Sequence, residues 1–342
     1  MGLCFFCHLL AAGFDRNAMS FKDRIKIFNR AVARYGMYGS SWLINRMPYG
    51  TVRWITHFFI AVGFVFTVRQ KRIARESLQI AFGTEKSKEE IELIVRDCFR
   101  NLGQGMIELI YFMAHPSMIN EKVIIDGKEH LDAVLSQGKG VVAVSAHFGS
   151  FPLMLLRLAR EGYKTNAIIR PARDQKIEKY FFQKRNSLGL NTIYAVPRKP
   201  CVEQSIRVLR NNEILFIPLD QNFGSGGKVF VEFFGHKAAT ATGPVVFARR
   251  TGAPILPMFI IRDHDDISRI LIEPPMQFDI RADDDEAVFV NVSRITGIIE
   301  RYIRRYPHEW GWMHRRWKSR PEEEEREVVS DIRRRRTRLG RE

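Results

Sequence analysis

The chain is poor in cysteine: four in 342 residues, at Cys4, Cys7, Cys98 and Cys201. So few and so scattered, they argue against a disulfide scaffold and fit a reducing compartment. Cys4-Phe5-Phe6-Cys7-His8 has the spacing of a c-type haem attachment, but nothing downstream resembles a haem-wrapping domain. Residues 1–18 are read instead as a dispensable leader ahead of a start at Met19. A Gly-x-Ser-x-Gly nucleophile elbow is absent. A phosphate loop is absent too: around Gly226-Gly227-Lys228, Val229 stands where Ser or Thr is required and Asn222 where the first glycine belongs. Acidic residues are also short, 38 against 54 Lys and Arg, for a formal charge of +16. The stretch from Pro321 to Glu342 holds seven acids and seven arginines, so the body carries the whole excess. Such a surface favours nucleic acid, anionic lipid headgroups or an acidic protein.

Long apolar runs are lacking near the amino end as well. Trp54 to Val68 is uncharged for fifteen residues between Arg53 and Arg69. At ~1.5 Å per residue this falls short of a hydrocarbon core ~30 Å thick. With Arg69, Lys71, Arg72 and Arg75 directly after it, the segment is expected to dip into or lie along a membrane; full spanning requires its ends to extend through Val52 and the flanking arginines to snorkel. Ser20 to Ala33 reads as a basic amphipathic helix, and 73–113 as helical, with Ser87 and Glu90 as a capping box.

What the chain does have, from about residue 123, is alternation. Strands are expected at Val123–Ile125, Val141–Ser145, Asn166–Ile169, Ile214–Leu219, Val229–Phe233, Ile255–Ile261 and Arg269–Ile272. Helices are expected at Glu129–Gln137, Phe151–Glu161, Gln175–Leu188, Val202–Asn211, Gly243–Thr251 and Glu286–Tyr306. This is the pattern of parallel βαβ units, so the fold class is α/β, a mostly parallel sheet flanked by helices. The expected organisation is a leader (1–18), a helical membrane-associating region (19–115), an α/β domain (116–320) and a charged tail (321–342).

The candidate chemistry begins at Val141-Val142-Ala143-Val144-Ser145-Ala146-His147-Phe148-Gly149. A buried strand that stops at His-x-Gly before a helix sets an imidazole at the carboxyl edge of the sheet, where open α/β sheets carry their sites. Histidine suits proton transfer near neutral pH. A second strand ends at Asp220, which in a parallel sheet shares that edge and can orient the ring. The alternative for Asp220 is a turn-forming cap. Asn222, in the loop that follows, is a candidate substrate-binding residue. Glu232 is either a second acidic group at the site or an edge residue facing water. Thr242 is read as the cap of a helix N-terminus at Ala238–Pro244, whose free N–H groups can hold an anion. Arg170 and Arg185, with Arg173 and Lys184, can clamp phosphate or stand solvated. His264-Asp265-Asp266 carries metal-type donors, but no second histidine stands beside it at ligand spacing, and no metal is expected.

Several blocks together resemble the lipid A biosynthesis lauroyl/myristoyl acyltransferases, a branch of the glycerolipid-type acyltransferases. They run in order through Arg72-Ile73-Ala74-Arg75-Glu76-Ser77-Leu78, Ala146-His147-Phe148-Gly149, and Asp220-Gln221-Asn222-Phe223-Gly224. Phe233-Phe234-Gly235, Ala239-Thr240-Ala241-Thr242-Gly243-Pro244 and Leu256-Pro257 come next, then Tyr306-Pro307-His308-Glu309-Trp310-Gly311-Trp312-Met313-His314-Arg315-Arg316-Trp317-Lys318. The resemblance implies an enzyme of lipopolysaccharide biosynthesis on the cytoplasmic face of the bacterial inner membrane. It would move a fatty acyl group from acyl carrier protein or coenzyme A to a hydroxyl of an anionic glycolipid, with no cofactor and no stable protein partner. His147 matches the histidine of the family's HxxxxD/E motif, but the acidic position is Pro152. Some relatives orient their histidine from a more distant acid, and Asp220 is the candidate here. The tetrahedral oxyanion of such a reaction needs hydrogen-bond donors, for instance backbone N–H groups. Two rivals remain: a hydrolase with Ser145 or Ser150 joined to His147 and Asp220, and a basic nucleic-acid-binding protein, for which no reading motif is present.

Overall fold

A computed structural model describes residues 21–83, 85–224, 227–263, 267–279 and 284–321. The Cys4–His8 motif, the His264-Asp265-Asp266 cluster and the charged tail from Glu322 onward lie outside the described residues. The chain divides into two units, Met1–Arg46 and Met47–Glu342. The first contains helix α1 (Phe21–Ile44), longer than the sequence predicts. Phe28, Val32, Tyr35 and Trp42 are exposed along it.

The second unit opens with α2 (Tyr49–Phe66), α3 (Val68–Phe82) and α4 (Lys88–Ala114). The helical region expected over 73–113 is divided between α3 and α4, with Ser87 starting the second helix as its capping box predicts. The Ser87 hydroxyl accepts the Glu90 N–H, and the Glu90 carboxylate accepts the Ser87 N–H, closing the capping box. Then follow α5 (Ser117–Lys122), β1 (Val123–Asp126), α6 (Lys128–Leu135), β2 (Val141–Ser145), α7 (Phe151–Arg160), β3 (Thr165–Ile169), α8 (Gln175–Ser187), β4 (Leu190–Tyr194) and α9 (Arg198–Arg210). The chain continues through β5 (Ile214–Pro218), β6 (Lys228–Phe233), β7 (His236–Ala241), α10 (Gly243–Thr251), β8 (Ile255–Arg262), β9 (Ser268–Ile272) and α11 (Asp284–Arg305).

Seven strands form one sheet in the order β1-β9-β8-β2-β5-β3-β4. Strands β8, β2, β5, β3 and β4 are parallel, β9 runs antiparallel to β8, and β1 runs parallel to β9. The mostly parallel α/β sheet read from the sequence is therefore the fold. Every residue of β2 is buried, as a central strand covered on both faces requires. Alternate side chains serve opposite layers. Val142 and Val144 join a core with Leu209 of α9 and Val245 of α10. Phe216, paired in register with Ala143, stacks instead on Phe151 of α7 at 5.9 Å.

Two strands were not expected. Strand β4 is a short edge strand of mixed polarity, and β7 pairs antiparallel with β6 in a separate hairpin. The Ala238-Ala239-Thr240-Ala241 run, read as a helix start, is strand: small residues of poor β-propensity are held there by pairing. Helix α10 does begin after Thr242, but the Thr242 hydroxyl donates to the Gly227 carbonyl at 3.0 Å and makes no side-chain cap.

Helix α2 packs on α4 through Val52 and Thr56, with Phe64 against Phe99. Its other face leaves Trp54, Phe58, Phe59, Val65 and Phe66 exposed. It is long and apolar enough, by length and composition, to cross a membrane.

Candidate active site

His147 sits in the tight loop between β2 and α7. Gly149 makes that loop possible: its φ is +53°, and a Cβ there would stand 2.2 Å from the Ile260 carbonyl oxygen. Pro152, in the motif's acidic position, occupies the first turn of α7, where a missing N–H costs nothing. One strand over, the Leu219 N–H donates to the Ser145 carbonyl at 2.9 Å and extends the β2–β5 ladder by one step. That step places Asp220 beside His147.

The His147 Nδ1 and Asp220 Oδ1 are 2.8 Å apart. The other carboxylate oxygen accepts the Trp310 indole N–H at 2.7 Å. Asp220 is 1% exposed. Burial pushes its pKa up, but the charge and hydrogen bond of His147 and the indole bond prevail and hold it well below the usual carboxylate range. On the ring, burial disfavours the imidazolium, while the Asp220 charge and hydrogen bond favour it more strongly, so the His147 pKa is raised. A carboxylate at Nδ1 requires an N–H there, so neutral His147 presents the lone pair of Nε2 outward. The arrangement is that of an oriented general base.

The floor comes from the far end of the chain. After α11, a 3-10 turn at Pro307–Glu309 leads into Trp310, which forms an isolated antiparallel bridge with Phe148. The Gly149 N–H donates to the Glu309 carbonyl at 2.8 Å, and the Cys98 thiol of α4 donates to the Trp310 carbonyl at 3.0 Å. Trp310 and Trp312 are fully buried, 4.6 Å apart edge to face. Fully buried Arg316 donates to the carbonyls of Gln221 and Ala239 and to the Thr240 hydroxyl. Burial lowers its pKa to about 10. The Glu309 carboxyl, buried and bonded to the Arg262 N–H, is raised by burial to about 7.

Of the residues singled out in the sequence, the structure brings His147 and Asp220 together. Asn222 holds the carboxyl-terminal segment, donating to the Ser319 hydroxyl and accepting its N–H at 2.9 Å. Arg170 is exposed just past β3, at the same sheet edge as His147. Arg185 is bound to Glu178 at 2.7 Å and Thr192 at 3.0 Å within α8 and β4. Glu232 is exposed on the β6–β7 hairpin, opposite Lys237. The Ser145 hydroxyl is buried with no hydrogen-bond partner, and neither it nor that of Ser150 bonds His147, so no Ser–His–Asp triad is assembled among the described residues. Gln221, Trp310, His314 and Arg316 received no role from the sequence. They lie inside the blocks quoted above, but only the fold carries them to His147.

Fold and site together define an α/β enzyme with a histidine–carboxylate dyad at the carboxyl edge of a mostly parallel sheet. Residues 18–319 match the family described as bacterial lipid A biosynthesis acyltransferase. The chain is 28% identical over 288 residues to the lipid A biosynthesis palmitoleoyltransferase of Escherichia coli, covering 83% of this chain and 90% of that one. To the lauroyltransferase of the same organism it is 26% identical over 287 residues, with the same coverage. A Thermotoga maritima 1-acyl-sn-glycerophosphate acyltransferase structure overlays with a TM-score of 0.37 and 13% identity, over 72% of this chain and 98% of that one. The chain belongs to the bacterial lipid A biosynthesis acyltransferase family, and is an O-acyltransferase of lipid A-like lipids.

Proposed function

We propose that the protein transfers a fatty acyl group from the thioester of acyl carrier protein or coenzyme A to a hydroxyl of an anionic glycolipid, a lipid A precursor or a related lipid. His147 Nε2 takes the proton of the acceptor hydroxyl as its oxygen attacks the thioester carbonyl carbon. The tetrahedral intermediate collapses with loss of the thiolate, which receives that proton from the imidazolium. Asp220 keeps the ring in the productive tautomer and stabilises the imidazolium. No acyl-enzyme and no cofactor enters this scheme. The observation that carries it is the 2.8 Å contact of His147 with a buried carboxylate that is itself bonded to Trp310.

Arg170, exposed at the same edge, is the cation proposed to meet acceptor phosphate. The self-contained pairing of Arg185 favours a structural role for it. The apolar exposed face of α2, followed by Arg69, Lys71 and Arg72, supports work at the cytoplasmic face of the inner membrane. The formal charge of +16 suits both that surface and an acidic carrier protein.

The test is acyl transfer from labelled acyl carrier protein to a bacterial lipid extract by wild type, His147→Ala and Asp220→Asn. Both variants are expected to lose transfer while remaining folded, and the labelled product identifies the acceptor. Transfer by His147→Ala at the wild-type rate would overturn the assignment.

A further inference from the structure

Two consecutive residues clasp the two nitrogens of the His147 ring: Asp220 at Nδ1, and Gln221 at Nε2, where the amide nitrogen stands at 3.2 Å. The same amide nitrogen lies 3.3 Å from Nε2 of His314. With the Nδ1–H of His147 donating a hydrogen bond to the Asp220 carboxylate, its Nε2 is a lone pair and requires a donor. The Gln221 –NH₂ has two hydrogens, one for each ring when His314 carries its own proton on Nδ1. The Gln221 side chain is exposed, but its backbone is fixed, because buried Arg316 donates to its carbonyl at 3.2 Å. Gln221 thus holds an N–H donor at the position an acceptor hydroxyl must take to reach the base.

We infer that Gln221 is a catalytic residue: the acceptor hydroxyl displaces its amide from His147, and the freed N–H, tethered through His314, donates to the oxyanion of the tetrahedral intermediate. This rests on the acyl-transfer reading above. The distances support it. A hydroxyl bonded to Nε2 and attacking a carbonyl sets the developing oxyanion within a few ångströms of the seat the amide leaves, and donors of this kind act where negative charge grows. The amide donates in both states and changes only its acceptor. No proton is transferred to or from Gln221.

The experiment uses the full chain and the same labelled acyl carrier protein assay, comparing wild type, His147→Ala, Gln221→Met and Gln221→Glu. Methionine keeps the length and removes the donor, while glutamate keeps the shape and offers only acceptors. Gln221→Met is expected to lower kcat by about 10²–10³-fold, as loss of one oxyanion donor does. The KM for acceptor should stay level or fall, since the seat at Nε2 is vacated. Gln221→Glu should lose at least as much, and carries the test alone if the methionine variant does not fold. A kcat within threefold of wild type in either folded variant, or a loss confined to KM, overturns the inference. If wild type transfers normally and His147→Ala does not, such a result fells only the role of Gln221. If wild type itself transfers nothing, the acyl-transfer reading falls and this inference with it.

Discussion

Asp220, a carboxylate, is 1% exposed, whereas Phe66 is 80% exposed and Trp54 73%. At the sheet edge a charge is kept from water by an imidazole and an indole aimed at its two oxygens. On α2, aromatic residues stand exposed among the described residues. Burying a charge is tolerated only where partners satisfy it, and a contiguous apolar face left open marks a surface for something other than water. The two departures divide the proposed work: one region holds a proton acceptor in one orientation, and the other meets a lipid phase. Each can be broken separately.

The largest effect is expected from Asp220→Asn, a fall in kcat of about 10²–10⁴-fold, read in the transfer assay. The pH profile sharpens it. His147 must be neutral to accept a proton, and Asp220 raises its pKa, so the wild-type acid limb should lie above the ordinary histidine value of about 6.5. In Asp220→Asn that limb should move to lower pH. The folded carboxylate also has a depressed pKa, so its contribution to stability is present above its unfolded value and lost as pH falls through the folded one. Urea unfolding below pH 4 should show this loss in wild type and not in the variant.

Trp310→Phe comes next. It leaves a buried carboxylate oxygen without its donor, for a loss of about 1–3 kcal/mol in urea unfolding. Glu309→Gln tests the same floor with the opposite sign. The Glu309 pKa is raised to about 7, so burial of the neutral acid stabilises most below its unfolded value, and this contribution is lost as pH rises through about 7. The glutamine variant should lose less stability than wild type between pH 5 and 8. The smallest effect on folding belongs to Trp54→Ser with Phe59→Ser and Phe66→Ser. Changes at exposed positions should move unfolding stability by no more than about 0.5 kcal/mol each, while co-sedimentation with anionic vesicles falls sharply. Retention of vesicle binding would remove α2 from the proposed membrane contact.

How much of this was legible in the sequence follows the range of the interactions. Strand β2, its histidine and the α/β alternation are local patterns, readable from runs of small and β-branched residues, from helical spacing and from the glycine the turn requires. Asp220 was reachable because parallel strands put their carboxyl ends on one edge. Strand β7 was not, since its alanines and threonines carry little preference and acquire extended form by pairing with β6. Trp310, 90 residues from Asp220, and His314, 93 from Gln221, reach the site only after α11 has packed. No spacing rule reports a contact of that range. Thr242 shows the opposite error, a residue of suitable type at a suitable place whose hydroxyl serves a loop carbonyl instead.

The indole that completes the Asp220 shell comes from the last part of the described chain, with an order-of-events consequence during synthesis. The end of helix α2 is synthesised roughly 240 residues before Trp310 is added, an interval of roughly 12–50 s at about 5–20 residues per second. A nascent chain therefore has its outward-facing rings available to a bilayer long before its carboxylate is fully held. Arrival at the lipid can precede chemical competence.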